Sequence, residues 1–158
     1  MLKLEELVSL KLVAMIVINN MQTFMPYQNF YDTFKCLDYR RLGKQRVEAR
    51  QIWNIVTDNT KKIGWANHPA VNMWRGYDNA LALYHNLCIT EWINRGYKNN
   101  MPLIPINTNN IIMPPWVGLN AFHSAHRQTL LHKKYEFYSQ FGWKETPKYE
   151  YHWPTKME

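Results

Sequence analysis

The sequence predicts an all-α fold, a compact single-domain helical bundle with one long Pro/Asn-rich loop. Two observations carry that prediction. Three segments of 15 residues or more repeat apolar residues at helical spacing. Outside Ile16–Phe24, no run alternates apolar and polar residues as a strand does. The chain has 158 residues, 46% of them hydrophobic and 20% charged, enough to bury one core and too apolar to stay unfolded.

Residues 1–20 read as an N-terminal extension, or as a leader translated upstream of a start at Met21. The apolar run Leu12–Ile18 is too short to span a bilayer, and no basic region and cleavage site mark a signal peptide. The domain proper is then 21–158. Met21–Tyr27 ends beside Pro26 and should be extended. Asn29–Leu37 is a short helix with Asn29 or Asp32 near its start. Asp38 is the expected N-cap of a helix running to about Asp58–Asn59, with Gly43 a mild cost in its first turn. Gly64–Pro69 is loop, and Pro69 at a first helical position opens a short helix to Trp74. Tyr77–Arg95 carries Tyr77, Leu81, Tyr84, Cys88 and Trp92 on one stripe, with Gly96 as its stop. Asn99–Pro115 holds four prolines and five asparagines and is the long loop. Gly118–Lys134 is the last long helix, with Leu119, Phe122, His126 and Leu130 inward. Tyr135–Phe141 continues it or starts a short helix, and the aromatic tail 148–154 packs back on the domain.

The helix after Asp38 concentrates the charge. From Lys35 to Arg50 there are six basic and two acidic residues, a net +4 within a chain total of +7. Leu42, Ala49, Ile52, Trp53 and Val56 form its apolar stripe. Arg41, Lys44 and Glu48 line one shoulder, and Arg46 and Arg50 line the other. The simplest reading of such a helix is a solvated face with a Lys44–Glu48 pair. The functional reading is a polyanion-binding face with one embedded carboxylate, which a pI near 9.4 supports. Aromatics at 15% suit stacking on bases, though most must be core in a domain this small.

Two further constellations could carry chemistry. Asn67-His68-Pro69, followed by Met73-Trp74-Arg75, could line a pocket; alternatively Asn67 caps the next helix and His68 is a packed loop histidine. His123 and Arg127 share a helix flank suited to phosphate or sugar, while His126 points inward. No Asp, Glu or Cys lies near His123 and His126 in sequence to complete a metal site, so no metal or other cofactor is expected. His85 lies on an apolar stripe and reads as a core residue. Two cysteines, Cys36 and Cys88, are too few for a disulfide scaffold and read as buried thiols in a reducing compartment. The chain lacks a Walker loop, a G-x-S-x-G elbow, an HExxH motif and a paired-carboxylate glycosidase pattern.

Several segments together resemble a known family. They are Met21-Gln-Thr-Phe-Met-Pro-Tyr27, Leu37-Asp-Tyr-Arg-Arg-Leu-Gly-Lys-Gln-Arg-Val-Glu-Ala49, Gly64-Trp-Ala-Asn-His-Pro-Ala-Val-Asn-Met-Trp-Arg-Gly-Tyr77, Arg95-Gly-Tyr97, Pro114-Pro-Trp-Val-Gly118, His123-Ser-Ala-His-Arg127 and Tyr151-His-Trp-Pro154. In this order, over residues 21–154, they resemble the small bacterial and viral pyrimidine dimer DNA glycosylase-like proteins. The family usually has Ser where Ala125 stands and Arg where His132 stands.

The resemblance implies an all-helical repair enzyme that begins at Met21, resides in the cytoplasm or with intracellular nucleic acid, and acts on DNA rather than at a membrane. It implies chemistry like that of the distantly similar phage glycosylase/AP lyase. There, a terminal amine attacks the sugar C1′, a helix glutamate assists beside arginines, and a base is flipped out. The phage helix Tyr-Arg-Glu-Leu-Pro-Arg aligns with Tyr39-Arg40-Arg41-Leu42-Gly43-Lys44. Arg40 and Lys44 then take the phosphate-contacting places, and Arg127 that of a later arginine. Arg41 stands where the glutamate is expected, and Glu48, about two turns on, is the nearest substitute carboxylate. The implied site is Glu48 and Arg41 for catalysis, with Arg40, Lys44, Gln45, Asn67, His68, Arg75, His123, His126 and Arg127 for nucleic-acid or substrate binding. Two other readings remain open: a non-catalytic nucleic-acid-binding module on the same fold, and an enzyme on a small nucleotide-like anion.

Overall fold

A computed structural model describes residues 3–6, 21–58, 66–150 and 152–154. The expected extension therefore lies outside the described residues except for 3–6, as do the first half of the strand-like run and the first two residues of the Gly64–Pro69 loop. The described residues are helical without strands. Helix α1 is Phe30–Cys36, α2 Tyr39–Thr57, α3 Pro69–Asn72, α4 Asp78–Asn94, α5 Asn120–Lys133 and α6 Tyr135–Tyr138, with 3₁₀ turns at Thr108–Asn110 and Ser139–Phe141. The all-α expectation holds, and its long elements match to within two residues.

Local chemistry sets the helix ends. Asn29 Oδ1 accepts from the Tyr31 and Asp32 amides at 2.8 and 3.2 Å and starts α1. The other end of α1 is closed from outside. Arg95, just past α4, donates to the carbonyls of Leu37 (2.7 Å), Phe34 (2.8 Å) and Lys35 (3.1 Å), which the last turn cannot pair internally. Gly96, at φ +87°, ends α4 as expected.

Three expectations need correction. Asp38 occupies the cap position of α2, but its side chain makes no cap hydrogen bond. It pairs instead with Arg41 at 3.0 Å and accepts the Tyr138 hydroxyl. In the α3 corner the cap is His68, not Asn67: His68 Nδ1 accepts the Ala70 amide at 3.0 Å. Leu119, expected inward, caps α5 by position and is 39% exposed, because Gly118 at φ +101° turns the chain before the helix begins.

The core forms where α2 packs along α4. Leu42, Ala49, Ile52 and Ile55 meet Leu81, Tyr84 and Cys88, all at most 2% exposed. Both cysteines are buried free thiols, as expected. Gly43, the apparent defect of α2, is where the Trp92 ring crosses the helix: a Cβ there would meet the ring at 3.0 Å. That ring is itself held, under the Arg46 guanidinium at 4.3 Å and by Nε1 donating to the Lys98 carbonyl at 2.9 Å.

The first part of the long loop is pinned to α2 and α4. Arg46 donates to Asn99 Oδ1 (2.6 Å), Arg50 to the Pro102 carbonyl (3.3 Å), and Asn86 pairs with both backbone groups of Ile104 (2.8 and 2.9 Å). One shoulder of the cationic helix is thereby engaged internally. Lys134, at φ −153°, separates α6 from α5, which decides between the two expected forms of that region. The tail returns along α5, with the Lys148 amide on the Gln128 carbonyl at 3.2 Å and the Glu150 backbone paired with Thr129.

Candidate functional site

The site is organised around an extended segment, Met21–Pro26, that runs through the interior with all six residues buried. An extended strand without a sheet has no partner strand for its amides, and unpaired buried amides are costly. Side chains supply the partners. The Gln22 N–H donates to Glu48 Oε2 at 3.3 Å, Thr23 N–H to Gln22 Oε1 at 2.9 Å, Phe24 N–H to Gln45 Oε1 at 2.8 Å and Met25 N–H to His126 Nδ1 at 2.6 Å. Pro26 has no N–H to satisfy. The carbonyls are met in the same way: Gln45 Nε2 donates to Gln22 (2.9 Å), the Tyr84 hydroxyl to Phe24 (2.6 Å), and Arg127 to Pro26 (2.8 Å).

Five of the expected site residues, Gln45, Glu48, His123, His126 and Arg127, meet on this segment. Two ends can be distinguished. At Pro26, His123 and His126 are buried and structurally employed. His123 Nε2 accepts the Gly118 amide at 2.9 Å, so Nδ1 carries the proton toward the Met25 carbonyl, also at 2.9 Å. Burial pushes the His126 pKa down to about 3, and that of His123 is lowered as well. Both rings are neutral clamps at ordinary pH. Arg127 is held by Glu145 at 2.5 Å.

At Gln22 the arrangement is different. Glu48 is 6% exposed, with Oε1 3.3 Å from the Lys44 ammonium and Oε2 shared by the Gln22 amide and Gln45 Nε2. Burial raises its pKa, and Lys44 with the Gln22 and Gln45 hydrogen bonds only partly offsets the rise. Lys44 is half exposed and Arg40 exposed, so this shoulder faces solvent. Arg41 is drawn toward Asp38, whose carboxyl burial pushes up but Tyr138 and Arg41 hold below the usual range. A carboxyl that keeps its proton longer than usual, beside solvent-facing cations, can move a proton next to a bound phosphate backbone.

The remaining expected residues lie elsewhere. Asn67, His68 and Arg75 form a corner closed on itself: Arg75 donates to the Ala66 carbonyl (2.6 Å) and to Asn72 (3.1 Å), and Asn72 to the Asn67 carbonyl (2.9 Å). That corner connects to the buried segment through Trp74, whose Nε1 donates to Thr23 Oγ1 at 3.0 Å. A cavity of about 330 Å³ is lined by Tyr27, Asp32, Lys35, Cys36 and Phe141, none of them an expected site residue. Among the described residues, no group of three or more His, Cys, Asp or Glu could hold a metal. No described helix is long and apolar enough to cross a membrane.

Sequence reasoning missed Tyr84 and Tyr138. Tyr84 and Tyr138 read as core aromatics, and only contacts 39 to 100 residues apart show their hydroxyls at work. Lys133 lies in the last turn of α5, with Nζ 5.1 Å from the centre of the Tyr149 ring; burial, Arg41 and Lys44 lower its pKa.

No curated protein and no solved structure matches the chain. A family model described as pyrimidine dimer DNA glycosylase matches residues 21–105, more than half of the sequence. The match opens on the first residue of the buried segment and includes α2 with Glu48, and on this basis the chain belongs to the pyrimidine dimer DNA glycosylase family.

Proposed function

We propose that this protein is a DNA glycosylase with AP lyase activity on damaged or modified pyrimidines, and that Glu48 is its working carboxylate. The observation that carries this reading is the placement of Glu48. It is buried, has a raised pKa, touches the backbone where the family match begins, and lies beside the solvent-facing cations of α2. Arg40, Arg41 and Lys44 hold phosphates of the damaged strand. An amine attacks C1′ of the extruded nucleotide, and the base leaves as the N–C1′ bond forms. Protonated Glu48 donates to the sugar oxygen, and its carboxylate then supports the iminium charge.

The test is incubation with ultraviolet-irradiated duplex in the presence of borohydride. A trapped protein–DNA species and strand nicking are expected. Protein that binds this DNA but neither nicks it nor is trapped refutes the lyase mechanism. Glu48→Gln should lower nicking by about 10²- to 10⁴-fold, the usual range for a lost proton-transfer group, with duplex binding retained.

One observation favours a non-catalytic nucleic-acid-binding module as second reading. Arg41, standing where the resemblance expects the glutamate, is committed to Asp38. On that reading Glu48→Gln changes nothing but stability.

A further inference from the structure

We propose that the Tyr39, Trp92 and Tyr97 rings form a stacking platform for unpaired bases, which gives this protein a binding site for single-stranded DNA. The inference takes DNA as partner from the reading above and does not depend on the chemistry assigned to Glu48.

Three local features build the platform. Gly43 leaves room for the Trp92 ring to cross α2, since a Cβ there would meet it at 3.0 Å. Tyr39, one turn earlier on the same side of the helix, stacks on that ring, with centroids 6.0 Å apart and planes 16° from parallel. Gly96, at φ +87°, turns the chain after α4, and the Tyr97 N–H donates to the Trp92 carbonyl at 3.3 Å. The Tyr97 ring then lies 4.4 Å from Trp92 and 5.3 Å from Tyr39. Arg46 and the Lys98 carbonyl fix Trp92, so the cluster is preorganised and little is lost in ordering it on binding.

Core packing does not account for the cluster, because Tyr39 is 54% exposed and Tyr97 36%. Each of these two rings is followed in sequence by an exposed cation, Arg40 and Lys98. The nearest acids along the chain, Asp38 and Glu91, are ion-paired with Arg41 and Arg95. Exposed rings beside solvent-facing cations suit a strand whose bases stack while its phosphates meet the charges. Bases inside a duplex are already stacked on both faces, so only an unpaired base offers one to the platform. Every base has such a face, so the site tolerates any sequence.

The test is fluorescence anisotropy of the full chain with two end-labelled probes of equal length. One is a thymidine oligonucleotide. The other is a chain of propanediol phosphates, which carries the charges and no bases. The thymidine strand should bind about tenfold tighter, the order expected for one stacked base. Tyr39→Leu and Tyr97→Leu should each lower that ratio roughly threefold or more, with binding of the propanediol chain within about twofold of wild type. Tyr135→Leu removes an exposed ring of α6 and should leave the ratio unchanged. Equal affinity for the two probes in the wild-type chain, or an unchanged ratio in both Tyr39→Leu and Tyr97→Leu, overturns the platform. The first of these is read on the wild-type chain, so a folding defect in a variant does not obscure it. Nicking of irradiated duplex together with equal affinity overturns the platform and leaves the glycosylase reading standing. Preference for the thymidine strand without any nicking does the reverse.

Discussion

Gln45→Leu tests whether the buried segment is held as described. Gln45 is fully buried and near leucine in volume, so packing changes little. The hydrogen bonds change a great deal. The substitution removes the acceptor for the Phe24 N–H and the donor to the Gln22 carbonyl. Tyr84 keeps the Phe24 carbonyl, and Glu48 keeps the Gln22 amide, so two backbone groups are orphaned. At about 1–3 kcal/mol for each buried group left unpaired, the loss is about 2–6 kcal/mol. Against a typical total stability of about 5–15 kcal/mol this is severe. For a chain of this size it corresponds to a fall in Tm on the order of 5–20 °C. Urea unfolding followed by circular dichroism measures it, with an unchanged m-value confirming that the native state is still the reference. Gln51→Leu, on the exposed face of the same helix, should cost less than about 0.5 kcal/mol. A loss below about 1 kcal/mol for Gln45→Leu would refute the proposition that side chains of α2 hold this segment.

The two shoulders of α2 should behave differently toward DNA. Arg40→Ala and Lys44→Ala should each reduce the salt slope of duplex binding by about one. Arg46→Ala, whose guanidinium is spent on Asn99 and Trp92, should leave the slope unchanged and lower stability instead; equal slopes for all three would contradict the division. His126 makes the fold acid-sensitive. Its folded pKa is depressed to about 3 against an ordinary 6.5, so the unfolded chain binds the extra proton between those values. Stability is full above pH 6.5 and falls on acidification, by up to about 1.4 kcal/mol per pH unit from this residue. Urea midpoints from pH 7 to 4 should show that slope, and His126→Gln should reduce it. Gly43→Ala should not stabilise, although alanine gains about 1 kcal/mol in a helix. The added Cβ meets the clamped Trp92 ring, and overpacking costs about 1–3 kcal/mol. A rise in Tm would show that the ring moves aside freely.

The helices were legible in the sequence because their signals are local. Asn29 before α1, Pro69 opening α3, Gly96 after α4 and the Leu81, Tyr84, Cys88 stripe each state their structure within a few residues. The charge on α2 was legible for the same reason. What that charge is for was not. Arg46 and Arg50 look like Arg40 and Lys44 in sequence, yet one pair is bonded to the long loop and the other faces solvent. Asp38 and His68 show the same limit at the caps: which side chain turns inward depends on a tyrosine 100 residues away or on one ring nitrogen.

Glu48 marks the boundary most sharply. Local pattern assigns it an exposed i,i+4 pair with Lys44, and that pair exists. Its burial, its raised pKa and its bond to Gln22 come from an extended segment 26 residues earlier, whose amides have no sheet to pair with and so recruit α2. The same segment recruits α5 through His126. Periodicity and capping act over one turn and could be read from the chain. Desolvation and hydrogen-bond demand act between segments that meet only on folding, and they turn an ordinary charged helix into a candidate site.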